Sequence, residues 1–194
     1  MGDGKIKSAL EKALERAATF PRLSDEELQR MEYVPKGQVL AGKFLNNNGI
    51  TDELASYSAD KLVYIYQGME DTLLKNIALP EDDNTMHSNI KALEGFYLIK
   101  EDKLALQPVV EELQHLFNYY RQAVEQTKAS VQAQLFQKFQ AARQQLEAQY
   151  GQQVDFDMEK HPEYRNEMLK VIGQLNQRFE GALQATKDKI KAIK

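Results

Sequence analysis

Apolar positions in the C-terminal part of the chain recur every eleven residues. Leu113, Val124, Leu135 and Leu146 form one column. Phe117, Phe139 and Tyr150 form a second, interrupted by Lys128, and Tyr120, Val131 and Ala142 a third. Past residue 161 the same spacing returns in Tyr164, Leu175 and Thr186, in Met168, Phe179 and Ile190, and in Val171, Ala182 and Ile193. Eleven residues over three turns is about 3.67 per turn, slightly above a relaxed helix, so such a seam runs nearly straight or coils gently right-handed. Two segments sharing one period are suited to pack on each other. Pro108 fits a first helical turn, and neither Pro nor Gly follows until Gly151. The pattern therefore predicts a helix over 108–150 and a second from Pro162 to Ala192, joined by the polar stretch Gly151 to His161. A short linker between long helices predicts an antiparallel hairpin. The second helix is the shorter, and it is expected to run back alongside Gln149 to about Tyr119, with Leu135 facing Leu175 to Phe179. Val109, Val110, Leu113, Leu116 and Phe117 then need cover from elsewhere.

The first part of the chain reads as shorter helices. Ile6, Leu10, Ala13, Leu14 and Ala17 make a helical stripe from Lys5 to about Thr19, ended by Pro21. Ser24 with Glu27 forms a capping box. Pro35 and Gly37 are expected to interrupt, leaving a segment from Gln38 to Leu45 that stops at Asn46-Asn47-Asn48-Gly49. Thr51 or Asp52 can cap the next piece. Leu62, Tyr66, Met69, Leu73 and Ile77 predict a helix from Asp60 to Leu79, and another follows from about Thr85 to Ile99. Lys100 to Gln107 reads as a linker, with a possible extended piece at Leu104 to Leu106. The fold class is all-α: a helical head over 1–107 and a long antiparallel hairpin over 108–194.

Composition narrows the function classes. Of 194 residues 42% are hydrophobic, enough for a core. The mean hydropathy of -0.59 and the lack of any apolar run near ~20 residues predict a soluble protein without a membrane span. The N-terminus has no apolar export core, so the expected location is cytoplasmic. Ile6 stands where a myristoylation start needs Ser or Thr. A net charge of -4 and a pI near 5.5 argue against a nucleic-acid binder. With no cysteine, thiol catalysis, disulfides and thiolate metal sites are out of reach.

Candidate chemistry is thin. Gly37 to Lys43 has phosphate-loop spacing, but Phe44 follows where Ser or Thr would bind magnesium, and no strand precedes it. Glu112 and His115 make one metal-binding step of the di-iron type, without the second that such bundles need. Asp83 and His87 stand four apart as a weak pair. Glu81 to Asp83 lack the alternating ligands of a calcium loop and read as a capping cluster. No metal, cofactor or catalytic set is assigned. Lys187, Lys189, Lys191 and Lys194 suit a helix end, where cations oppose the dipole. The segment 122–153 carries eleven Gln and only five charged residues: Glu125, Lys128, Lys138, Arg143 and Glu147. Sparse charge lowers the cost of desolvation there. Phe136, Leu169, Ile172 and Leu183 lie off the main columns, and Ile172 and Leu183 are themselves eleven apart. A second apolar stripe on a two-helix arm needs a third surface, supplied either by the head folding back or by a partner or second copy, and these four are the candidate interaction residues.

The stretch Ile6-Lys7-Ser8-Ala9-Leu10-Glu11-Lys12-Ala13-Leu14-Glu15-Arg16, with Gly37 to Leu45, resembles an uncharacterised family of small bacterial all-helical proteins that has no assigned activity. The eleven-residue columns are also similar to those of rotary ATPase peripheral stalks, which pair in parallel with another chain. The expected function is a non-catalytic scaffold or adaptor, acting through helix-on-helix burial on a protein partner or in a homodimer. The alternatives are an enzyme or metal-binding bundle with its site in the head near Tyr64, Tyr66, His87 and Tyr97, and a stalk-like subunit of a larger assembly.

Overall fold

A computed structural model describes residues 8–12, 24–151 and 160–194, apart from the side chains of Ala142, Leu146 and Tyr150. Most of the predicted N-terminal helix and of the linker between the long helices lies outside the described residues. Among the described residues there is no strand. After a helical turn at 9–12 come α1 (Asp25–Leu45), α2 (Thr51–Ala55), α3 (Ala59–Asn76), α4 (Asp83–Ile99), α5 (Lys103–Tyr150) and α6 (Pro162–Ala192).

Local chemistry sets most boundaries. The Ser24 amide donates to Glu27 Oε2 at 2.7 Å and the Glu27 amide donates to Ser24 Oγ at 3.2 Å, closing the capping box. The Ser24 amide, and after it the Ser24 hydroxyl, which donates to the same carboxylate oxygen at 3.0 Å, hold the Glu27 carboxyl below its usual value. Asn47 leaves α1 in the left-handed conformation at φ 61°, which Asn tolerates better than most residues. Asp82 Oδ1 accepts the Thr85 amide at 2.7 Å and opens α4, so the acidic loop acts as a cap. Pro162 begins α6 as expected.

Three boundaries differ from the sequence reading. α1 runs unbroken through Pro35 and Gly37. The ring's fixed φ suits a helix, but an interior proline loses one backbone bond and crowds the carbonyl four residues back. The gain comes from the crossing with α3: a Cβ on Gly37 would meet Ile65 O at 2.0 Å, and one on Gly68 would meet Val34 O at 2.0 Å. Two glycines thus let the backbones touch, and Gly37 to Lys43 is helix rather than a phosphate loop. α2 starts after buried Ile50 without a side-chain cap, so packing outweighs the hydroxyl of Thr51 and the carboxylate of Asp52. α5 begins at Lys103 because Asp102 Oδ1 accepts the Ala105 amide at 2.9 Å. Leu104 to Leu106 is therefore helical, and Pro108 sits inside the helix.

α5 and α6 lie side by side in opposite senses. Lys189 Nζ donates to both Glu112 oxygens at 2.7 Å. Tyr120 donates to Asn176 Oδ1 at 2.6 Å and stacks edge-on against Phe179 at 5.3 Å. Phe139 packs on His161 at 4.5 Å. The start of α6 thus stands beside Phe139, about ten residues nearer the head than Gln149, where it was expected. Leu135 accordingly packs with Tyr164, Met168 and Val171 instead of Leu175 to Phe179. The C-terminal end of α6 is drawn into the head. Ile190 is fully buried, the Glu101 and Asp102 amides donate to Lys194 O at 2.9 and 3.0 Å, and buried Lys100 donates to Ile193 O at 2.6 Å and Glu70 at 2.8 Å.

One core joins head and hairpin base. Leu40, Ile65, Met69, Leu73, Leu93 and Phe96 of the head pack with Leu106, Leu113, Phe117 and Tyr120 of α5 and Leu183 and Ile190 of α6. Buried Asn89 clamps the turn between α3 and α4, accepting from the Ala78 amide at 2.9 Å and donating to its carbonyl at 2.7 Å. A smaller cluster farther out holds Val131, Phe139 and Tyr164, flanked by Leu135, Met168 and Val171.

Candidate functional site

The head stops partway along the hairpin. Asn176 marks the place: it accepts from Tyr120 and donates to Glu81 Oε1 at 2.9 Å, linking α5, α6 and the loop before α4. Arg121 meets Asp83 at 2.7 Å beside it. Burial and Glu81 together push the Tyr120 hydroxyl up to about 12. Toward the C-terminus of α6 from this point, Leu183 is 1% exposed and packs into the head. Ile172 sits half-buried at the edge of the same core.

In the other direction the head-facing side of α6 is uncovered. Tyr164, Arg165, Met168, Leu169 and Ile172 line a shallow, almost wholly apolar depression there. Leu169 is 74% exposed, and Phe136 on the neighbouring helix is 56% exposed. Tyr164 is held from α5 by Gln132 Nε2 at 3.5 Å, and Arg165 turns back to donate to Lys160 O at 3.2 Å. The stem of Arg165 thus borders the depression, and its guanidinium lies at the rim, bonded to a neutral carbonyl.

Of the four candidate interaction residues, Phe136 and Leu169 therefore stand free on the arm. Leu183 and, in part, Ile172 do not: the head itself supplies the third surface for their stripe. Of the two covers the stripe allowed, the head takes Leu183 and part of Ile172, which are therefore not outward-facing, because α6 is shifted toward the head. Tyr164 and Met168 line the depression but read as seam residues in the sequence. A sharper signal was present in the repeat. Phe136 shares its column with Glu125 and Glu147, and Leu169 shares its column with Glu180 and Lys191. Each is a large apolar residue whose column carries a Glu at the next repeat along its own helix.

The head alternatives fare differently. Tyr66 lines a cleft with Glu70, Lys100 and Lys191, whereas His87 lines a separate polar depression with Asn47, Ser88 and Lys91. Tyr97 is partly exposed, and its carbonyl accepts from Lys103 Nζ. Tyr64 packs against the main core. Both oxygens of Glu112 are engaged by Lys189, on a helix where His115 is exposed. Among the described residues no group of three His, Asp or Glu is placed to hold a metal ion. No helix among them is long and apolar enough to cross a membrane.

A family model described as a family of unknown function (DUF6657) matches residues 51–192. The chain belongs to this family. The matched region runs from α2 to the end of α6; it takes in the whole hairpin and the head apart from α1, whose Leu40 belongs to the core. No curated protein and no solved structure matches the chain.

Proposed function

We propose that this protein is a non-catalytic helical scaffold or adaptor of the cytoplasm, and that it works by docking the distal arm against another helical surface. The observation that carries this reading is the pair Phe136 and Leu169, one on each helix of the arm. Both stand exposed in columns that carry a Glu at the next repeat along the same helix. Neither is needed to fill the core beneath, which Val131, Phe139 and Tyr164 already occupy. Burying two such side chains is favourable at roughly 25 cal/mol per Å² of apolar surface, and the Gln-rich flanks cost little to desolvate. The mode would be a helix face laid into a shallow apolar groove.

Site-specific photo-crosslinking in the native host tests this. A photoreactive residue at Leu169 is expected to give discrete adducts that disappear when Phe136→Glu is added. The same group at exposed Gln134 is expected to give none. Equal labelling from both positions would remove the arm as a docking surface.

A further inference from the structure

We infer that the occupant of the arm's apolar face is a second copy of this chain, docked arm to arm about a two-fold axis; this rests on the reading of the arm as a docking surface. Charge is the first argument. The charged side chains of distal α5 are matched inside the arm: Glu125 with Lys128 at 2.9 Å, Arg143 with Glu147 at 2.8 Å, and Lys138 with Glu163 of α6. Lys170 lies 3.7 Å from Glu167. Arg165, at the rim of the depression and bonded to a backbone carbonyl, is a cation outside these four pairs; with the other charges paired, the arm carries little net charge to repel its own copy. Polar chemistry is the second argument. Gln122, Gln126, Gln132, Gln137 and Gln140 dominate what remains of α5 here. A primary amide both donates and accepts, so a glutamine surface is complementary to itself, unlike a surface of a single charge. An isologous contact requires that self-complementarity, because it sets one patch against the same patch.

Size is the third argument, and it fixes the strength. From Glu125 to Phe139 the two helices present a face roughly 22 Å long and 20 Å wide, on a rise of 1.5 Å per residue and helices about 10 Å across. The α5 extension beyond Phe139 adds roughly 160 Å² by the same dimensions, for a footprint near 600 Å² per copy. That is about 1,200 Å² in total, the lower end of what specific interfaces bury. The expected pair is therefore reversible and concentration-dependent.

Sedimentation equilibrium on the full chain from about 1 to 200 μM tests the proposal. The apparent mass is expected to climb from 22.3 kDa toward twice that value within this range. Leu169→Glu should hold the protein at monomer mass, and Leu169→Ser should weaken association at least tenfold. Both variants should keep wild-type helicity, since the side chain is largely in solvent. A wild type that stays monomeric at 200 μM would overturn the second-copy proposal. So would a dimer that survives the Phe136→Glu, Leu169→Glu double variant, because its interface would lie elsewhere. In the monomeric case the crosslinker at Leu169 separates the two readings. Adducts to a different protein would leave the docking surface standing with another occupant, and their absence would remove both.

Discussion

Phe117 and Phe139 stand in the same column of the same helix, two repeats apart, and both are buried. Their surroundings differ. Phe117 belongs to a core built from five helices, in which Phe96, Leu113, Tyr120, Leu183 and Ile190 are all buried. Phe139 belongs to a cluster with two other buried residues, Val131 and Tyr164, held between only two helices. One repeat therefore serves two purposes along α5. At the base it anchors the hairpin in the head, and beyond Val124 it only keeps two helices together. What changes between the regions is the third surface, which the head supplies at the base and nothing in the chain's described residues supplies at Leu169.

The largest expected effect lies at the base. Phe117→Ala should cost about 3–5 kcal/mol and Leu183→Ala about 2–5 kcal/mol, each read as a shift of the main denaturant transition. Phe139→Ala should move that transition less than half as far as Phe117→Ala. Its loss should appear instead in hydrogen exchange, as faster exchange over 125–139 and 162–171, because a two-helix segment can open without unfolding the head. Equal shifts for the two phenylalanines would mean that base and arm unfold as one unit.

Next in size is the helix crossing inside the head. Gly68→Ala sets a methyl group against Val34 O, where both sides are backbone and neither can rotate away. Overpacking of this kind should cost about 1–3 kcal/mol or more, measurable in the same melts. The distal arm's exchange should be unaffected, which would again separate the two regions. Arm exchange that rises in step with the head's would contradict that separation.

How far the sequence carried depended on the kind of information each feature needs. Ser24 with Glu27, the Asn run and Pro162 each act within a few residues, and the structure places all of them as their chemistry dictates. Pro35 and Gly37 misled because their local cost is met by a distant contact, Gly68 against Val34. The register of α5 on α6 could not be read for a more general reason. A seam that repeats every eleven residues matches itself again after a slip of eleven, so the columns alone allow Pro162 to start beside Gln149 or one repeat nearer the head. What separates the two registers is outside the repeat: Ile190 fills the head, and Lys100, Glu101 and Asp102 bind the backbone of Ile193 and Lys194. The site inherits the same limit. Leu169 and Phe136 were legible as apolar residues off the seam, but the burial of Leu183 followed only from the register.

A smaller effect should appear at the boundary in alkaline solution. The Tyr120 hydroxyl is pushed up to about 12 in the folded protein, against about 10 when unfolded. Between those values the unfolded chain has released this proton while the native state retains it. Stability should therefore fall as pH rises from about 10 toward 12, by up to about 2 kcal/mol from this group. Tyr120→Phe should be less stable near neutrality, since Asn176 loses its donor, yet it should show a flatter decline above pH 10. Melts of both proteins across pH 8 to 11.5 would check this, and parallel curves would mean that Tyr120 does not couple folding to pH.

The smallest effect on folding is expected at Leu169. It and Leu183 are both leucines on α6 off the seam columns, and both lie on the side that the head covers near the base. One is 74% exposed and the other 1% exposed. Truncating an exposed leucine forfeits little buried area, so Leu169→Ala should change monomer stability by less than about 0.5 kcal/mol. The measurement must be made at low micromolar concentration, where association contributes little, and repeated at high concentration. If Leu169 serves a contact between copies, wild type should gain stability as concentration rises, because association favours the folded state by mass action. Leu169→Ala should gain much less. A wild type and variant that melt together at every concentration would show that the exposed leucine contributes to neither folding nor association.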